Sequence, residues 1–513
     1  MKKNYERGIY LFLAVIFLIF LEFFYDSGKT QDYSKVLDEM CEKDVTFTES
    51  DILNKIKNLN PSENDSSKIL STILDKSKCV GKNKDGEKLY TTLKYQRLEK
   101  AVLNKFKKIL KGTSKTVCDF KNIKTILNLY PYLNHEQNFA ISGICNSKSN
   151  VNILIGRAGS GKTTTLKAIS EIYKKQGFKS IGMSLSSLAA QNLEKVTGIE
   201  CHSIDYWVYH KWVKKNEQKI NDINIMIIDE AGMIGTAHWK KILNAAERFK
   251  LKIIIVGDCD QFKPISAGDC FRLFINEKEA PCFELKTIIR QKIDWMRKAS
   301  LELSQLNIAS ALNIYRDKGK INETNDINSV VPKKYIDFEK SGNTIVLCYT
   351  KKECDEINKK IRSLKKNKND LESDFLDING KKFSKNEKII FLKNNKDFDV
   401  KNGQIGFIKN YENKILNVEI ESETKNINID DYDKIDYAYA ITLHKSQGKT
   451  FDNVIVIGSP KMDSKALYVA MTRHSQDIEL FYQKSDFSTF DKFVKTVSKY
   501  NHKDSLEDFK NQD

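Results

Sequence analysis

The segment that most constrains this chain is Val151-Asn152-Ile153-Leu154-Ile155, followed directly by GRAGSGKT, Gly156 to Thr163. An amphipathic run then carries Leu166, Ile169, Ile172 and Tyr173 at helical spacing. A strand, a glycine-rich loop and a helix in that order form a phosphate cradle: the glycines let backbone N–H groups point inward, and the helix start adds its dipole. In such a cradle Lys162 is expected to reach the β- and γ-phosphates and Thr163 to hold Mg²⁺. A chain built on this unit is expected to be an α/β protein with a parallel sheet.

The cradle needs an acid to complete a metal site. Ile223–Ile228 reads as a buried strand ending in Asp229-Glu230-Ala231-Gly232, which delivers two carboxylates at the end of the sheet where open α/β folds bind ligands. Asp229 is expected on Mg²⁺, and Glu230 is expected to orient or deprotonate the attacking water. Leu251–Val256 ends in GDCDQFKPI, placing Gln261 where an amide senses the γ-phosphate or its water. Ser180–Leu185 leads into Ser186-Ser187-Leu188, a turn suited to a nucleic-acid phosphate or to nothing more than a helix start. Past Pro281 a second α/β pattern begins, with strand runs at Thr344–Thr350, Tyr439–Leu443 and Asn453–Gly458.

Charge narrows the partners. The 513 residues carry 85 Lys+Arg against 68 Asp+Glu, a net +17 that favours a polyanion. Only ten of those cations are Arg, in a chain rich in Lys, Asn and Ile, so part of the excess is compositional. An Arg in this background is a stronger candidate for a position that needs a planar fork. Arg290, in Ile289-Arg290-Gln291, and Arg473, in YVAMTRH, are the two that accompany ordered motifs. Both are expected to act as arginine fingers on the γ-phosphate when two lobes close. The ten cysteines form no C-x-x-C pair, which argues for reduced thiols in a cytoplasmic protein and against zinc.

At the amino end, Ile9–Phe24 is an apolar run behind Lys2, Lys3 and Arg7. It is shorter than the ~20 residues that span a bilayer and lacks a small-residue cleavage site. The readings open for it are reversible attachment to the inner membrane, inverted insertion, a fusion scar and a buried helix. From Asp26 to about Pro131 the pattern is Lys-rich and helical, with Leu98, Val102, Phe106 and Ile109 on one stripe. Between the second strand and Asp229, Tyr206-Trp207-Val208-Tyr209-His210-Lys211-Trp212 interleaves aromatics with cations. That composition suits base stacking or strand separation on single-stranded nucleic acid, and equally a helix packed on the first lobe.

The ordered set GRAGSGKT, IIDEAGMIG, GDCDQFKPI, IIRQ, LHKSQGKTF and YVAMTRH resembles the superfamily 1 helicases of the 5′→3′ RecD-like branch. More narrowly it resembles the helicase part of MobF-type conjugative relaxases of the TraA class, over about Tyr130 to Phe493. The resemblance implies two RecA-like parallel-sheet lobes, a small SH3-like β insert in the second, and an amino-terminal helical region. The expected division is 1–25, hydrophobic segment; 26–130, helical accessory region; 131–280, first lobe; 281–374 and 436–495, second lobe; 375–435, insert; and 496–513, polar tail. It implies that Gln137 contacts the adenine and that Gly156, Arg157, Ala158, Gly159, Ser160, Gly161, Lys162, Thr163, Thr164 and Gly448 hold ATP. It also places His202, Phe262, Thr442 and His444 beside single-stranded DNA, and Trp207 and Trp212 are added as stacking candidates.

Two departures stand out. The seven histidines include no closely paired set, so the metal-dependent nicking chemistry of a relaxase is not expected. Leu185-Ser186-Ser187-Leu188 replaces the family's proline-threonine or basic pattern at a DNA contact. The implied function is an ATP-dependent helicase or translocase on single-stranded DNA, 5′→3′, working with conjugation or repair proteins. The alternatives are a membrane-tethered, nucleotide-gated adaptor of a DNA-transfer apparatus and an RNA helicase.

Overall fold

The computed structural model describes residues 36–59, 63–83, 85–212, 222–500 and 505–509. The apolar run at 9–24 lies outside them, and among the described residues no helix is long and apolar enough to cross a membrane. The described residues form two compact units, one made of those up to residue 96 with 506–509 and one of those from 97 to 505.

The smaller unit has short helices at Val36–Met40, Glu49–Lys57 and Glu63–Asp75. Thr48 and Asp51 close a capping box on the second. To this expected helical content the structure adds an antiparallel hairpin, β1 (Ser77–Lys82) with β2 (Lys88–Thr92). The turn cluster at Lys82–Gly86 joins two strands rather than two helices. Asn83 accepts the N–H groups of Asp85 and Glu87 in a local turn, and Gly86 takes φ 83°, which a side chain would disfavour.

The larger unit contains both expected parallel sheets. The first has six strands: β3 (Val151–Gly156), β4 (Ser180–Ser184), β5 (Glu200–Ser203), β6 (Ile225–Ile228), β7 (Lys252–Gly257) and β8 (Cys282–Leu285). Their order is β5-β4-β6-β7-β3-β8, all parallel. The period-2 pattern of a doubly covered strand is visible in β3: Val151 and Ile153 enter one hydrophobic core and Leu154 enters the other. Strand β8 pairs with β3, so this sheet runs past the expected boundary at residue 280 to Leu285.

The second sheet comprises β9 (Ile321–Thr324), β10 (Thr344–Cys348), β18 (Ala440–Thr442), β19 (Phe451–Ile457) and β20 (His474–Gln483). Its order is β18-β10-β19-β20-β9, again all parallel. Between β10 and β18 the chain builds two antiparallel sheets. One pairs β11 (Asp374–Ile378) with β12 (Lys381–Ser384). The other orders β13 (Lys388–Phe391), β14 (Ile405–Glu412), β15 (Ile415–Ile420), β16 (Glu423–Asn428) and β17 (Ile435–Tyr437) as β16-β15-β14-β13-β17. Phe383, Ile389 and Tyr437 of this insert share one core with Val346 and Cys348 of β10. Lys388 Nζ donates to the Thr344 carbonyl at 2.7 Å, and Tyr439 OH donates to Glu387 at 2.7 Å. All ten cysteines are free thiols.

Candidate active site

The loop after β3 obtains its shape from Gly159 and Gly161, at φ 77° and 84°. A Cβ at Gly159 would stand 2.6 Å from the Cβ of Arg290, and one at Gly161 would collide with the Gln137 amide and with Ile289. The helix Lys162–Lys175 starts directly after Gly161, so its free N–H groups and dipole face the loop. Lys162 Nζ is held by the carbonyls of Gly156 at 2.5 Å and Arg157 at 3.2 Å.

A cavity of about 260 Å³ opens in front of this loop. Ala158 to Thr164 form one wall, and Asp229, Glu230, Gln261, Arg290, Gly448 and Arg473 form the others. The structure therefore brings together residues separated by more than three hundred positions. Gln137 is placed differently: it is 2% exposed, accepts the N–H of the N-cap Asn134 at 3.0 Å as the N3 member of the capping box of helix His135–Asn146, and sends its Nε2 to the Gly161 carbonyl at 3.4 Å. It touches the loop from outside the cavity.

The electrostatics are those of a polyanion receptor. Arg473 is 2% exposed, and burial lowers its pKa; burial and then the charge of Arg473 bring Arg290 down to about 9. Among the described residues neither guanidinium forms an ion pair with a carboxylate. Arg290 donates to the Thr472 carbonyl at 2.7 Å, and Arg473 to the Val469 carbonyl at 3.0 Å. Two neighbouring buried cations without carboxylate partners are expensive until an anion enters. On the opposite wall Asp229 is pushed up to about 7, by burial first and the Glu230 charge second, against the Glu230 N–H and Lys162. Glu230 itself sits at φ 55°, a left-handed conformation that costs ~1–3 kcal/mol and recurs at functional sites.

Asp229 and Thr163 line the same cavity beside a phosphate cradle, a donor set that fits Mg²⁺, which takes few protein ligands and keeps phosphate and water oxygens. Among the described residues there is no cluster of three or more His, Cys, Asp or Glu that could hold a metal alone.

Two residues without an expected role complete the site. Tyr468 OH accepts the Ala158 N–H at 2.8 Å and lies 3.0 Å from Asp258 Oδ2. Both belong to quoted motifs, YVAMTRH and GDCDQFKPI. The available signal was the spacing of Tyr468, on the helix Ser464–Met471, four residues before Thr472, its C-cap, and five before Arg473.

The expected nucleic-acid contacts divide. A groove of about 670 Å³ is lined by His202, Tyr206 and Tyr209 from the first lobe and by Lys396 and Lys401 from the insert. His202 packs on Tyr206 with ring centres 4.0 Å apart, and Lys396 Nζ lies 5.5 Å from the Tyr206 ring centre. Trp207 corrects the expectation of a stacking residue. It is 1% exposed, belongs to the first-sheet core, and donates its indole N–H to the Gly182 carbonyl at 3.1 Å. It lies in a π-helical turn, Trp207–Trp212, that leaves Tyr206 and Tyr209 facing the groove instead. The side chain of Trp212 is outside the described residues. Phe262 is 9% exposed and stacks on His444 at 4.4 Å, and with Thr442 these residues lie away from the groove.

Comparison with known proteins agrees with this geometry. Residues 132–326 match the AAA domain family, and residues 437–477 match the UvrD-like helicase C-terminal domain. The conjugal transfer protein TraA of Agrobacterium fabrum is 31% identical over 388 residues, which cover 74% of this chain and 35% of that protein. The chain thus spans about a third of the TraA relatives it matches. The RecBCD subunit RecD of Buchnera aphidicola from Acyrthosiphon pisum is 24% identical over 455 residues, covering 71% of this chain and 75% of that protein. In fold the chain is similar to a Bacteroides Pif1 helicase crystallised with ADP-AlF3 and single-stranded DNA, with a TM-score of 0.50, 18% identity, and 68% and 92% of the two chains covered. With two parallel-sheet lobes, six ordered motifs and these relatives, the chain is similar to the superfamily 1 helicases of the RecD-like branch.

Proposed function

We propose that this protein is an ATP-dependent helicase or translocase that moves 5′→3′ on single-stranded DNA in the cytoplasm, in conjugative transfer. The observation that carries the reading is the pair Arg290 and Arg473, which reach the cavity of the glycine loop from outside the first sheet and lack carboxylate partners. Bound ATP with Mg²⁺ would supply the triphosphate and its counter-charge. Lys162 and the loop N–H groups bind the phosphates, and Thr163 and Asp229 hold the metal. Glu230 takes the proton of the attacking water, Gln261 orients that water, and the two arginines stabilise the charge that develops on the γ-phosphate.

On the nucleic-acid side, Tyr206, Tyr209 and His202 offer stacking faces, while Lys396 and Lys401 meet the backbone. The antiparallel insert that carries those lysines corresponds in this reading to the SH3-like element. The name of the Agrobacterium relative, a conjugal transfer protein, supports the biological setting.

The test is ATP hydrolysis measured with single-stranded DNA, RNA or neither, followed by unwinding of matched 5′-tailed, 3′-tailed and blunt duplexes. DNA-stimulated turnover with unwinding of the 5′-tailed duplex alone is expected. Turnover indifferent to DNA would sink the reading, and stronger stimulation by RNA would move it to an RNA helicase.

A further inference from the structure

The cavity walls are joined by a closed ring of hydrogen bonds whose proton positions can be assigned. The Ala158 N–H, part of the phosphate loop, donates to Tyr468 OH at 2.8 Å. The phenol then has one proton to give, and its neighbour at 3.0 Å is Asp258 Oδ2, an acceptor. Asp258 Oδ2 also accepts Gln261 Nε2 at 2.8 Å. That second bond fixes the amide: with Nε2 turned to the carboxylate, Oε1 must face the other way, and there it lies 3.4 Å from Arg473 Nη2. Arg473 returns to the helix of Tyr468 through the Val469 carbonyl at 3.0 Å. The ring is buried: Tyr468 is 0% exposed, Arg473 2%, and Asp258 and Gln261 5% each.

We infer that Tyr468 is a positioning residue for ATP hydrolysis: through Asp258 it holds the Gln261 amide with its oxygen toward the cavity, and through Ala158 it makes that orientation depend on the docking of the second lobe against the phosphate loop. This rests on the helicase reading above. Without the hydroxyl, Asp258 loses one donor and Gln261 can rotate, presenting an N–H where a water proton needs an acceptor. Burial holds the phenol far above its ordinary pKa, so it remains a donor throughout the working range of pH.

The test is a double-mutant cycle between Tyr468→Phe and Gln261→Ala, read by DNA-stimulated ATP hydrolysis, by affinity for a fluorescent ATP analogue and by thermal melting. Tyr468→Phe keeps the buried ring. It is expected to lower kcat by about 10-fold while KM for ATP and analogue affinity stay within about twofold. The double variant is expected to be no more than about twofold worse than Gln261→Ala alone, as for groups acting as one unit. Losses that multiply, a loss confined to KM or affinity, or full activity of Tyr468→Phe would overturn the inference and leave the helicase reading intact. If melting shows that Tyr468→Phe is unfolded, Asp258→Asn enters the same cycle with the same criteria. Absence of DNA-stimulated turnover in the unaltered protein would overturn both.

Discussion

The nucleotide cavity and the aromatic groove are two surfaces of one unit, yet the first is written in the sequence and the second is not. The cavity needs particular backbone shapes: a strand end, two left-handed glycines and a helix start within a dozen residues. Such demands leave short, ordered strings. The groove needs only flat rings and positive charge at its walls, and its residues come from positions 187 to 209 and 394 to 401 with no shared local pattern. Composition alone directed attention to the tryptophans there, and the fold uses Trp207 as core. Chemistry that rests on main-chain geometry is therefore read one string at a time, whereas chemistry that rests on side-chain faces becomes visible only after the elements pack.

The sharpest way to break this contrast is on the cavity side. Lys162→Ala is expected to reduce ATP turnover by about 10³-fold or more, measured as steady-state phosphate release with saturating single-stranded DNA. Next comes Arg473→Lys, which keeps the charge but loses the fork; a fall of about 10²–10³-fold in kcat is expected, and near-normal turnover would show that charge alone suffices. On the groove side, Trp207→Ala and Tyr206→Ala should separate cleanly. The first is expected to cost ~3–5 kcal/mol of folding stability in chemical denaturation. The second should leave melting nearly unchanged and weaken single-stranded DNA binding by ~1–3 kcal/mol in fluorescence anisotropy. The reverse outcome would restore Trp207 as a contact residue.

The smallest effect concerns the buried end of the YVAMTRH string. His474 is 0% exposed, and burial first, then Arg290, lowers its pKa to about 3. An unfolded histidine takes up its proton near pH 6.5, so between about pH 6.5 and 3 the unfolded chain binds more protons than the folded one. Stability should accordingly fall as pH drops below about 6.5, by up to ~1.4 kcal/mol per pH unit from this group. Urea melts at pH 7 and 5.5 should show a shallower dependence in His474→Gln than in the unaltered chain.

Much of the fold was legible for the same reason as the cavity. β3, β6, β7, β10 and β19 are predominantly apolar runs that end in turn or motif residues, and they form the centres of both sheets. The missed strands lie at or next to sheet edges. β5 reads Glu-Cys-His-Ser and β9 reads Ile-Asn-Glu-Thr, four residues each, where one covered face and a single neighbour demand little apolar character. The hairpin β1–β2 was hidden by its Lys-rich setting. Tyr468 was missed because a buried tyrosine in an apolar helix reads as packing until its hydroxyl is seen between Ala158 and Asp258.

The insert's shared core has a mechanical consequence. Because Phe383, Ile389 and Tyr437 interlock with Val346 and Cys348, and Lys388 is bonded to the Thr344 carbonyl, the antiparallel sheets have no hinge of their own against β10. Lys396 and Lys401 lie in the connection between β13 and β14, so this attachment ties the groove wall to the same end of the second sheet at which Arg473 precedes β20 and lines the cavity.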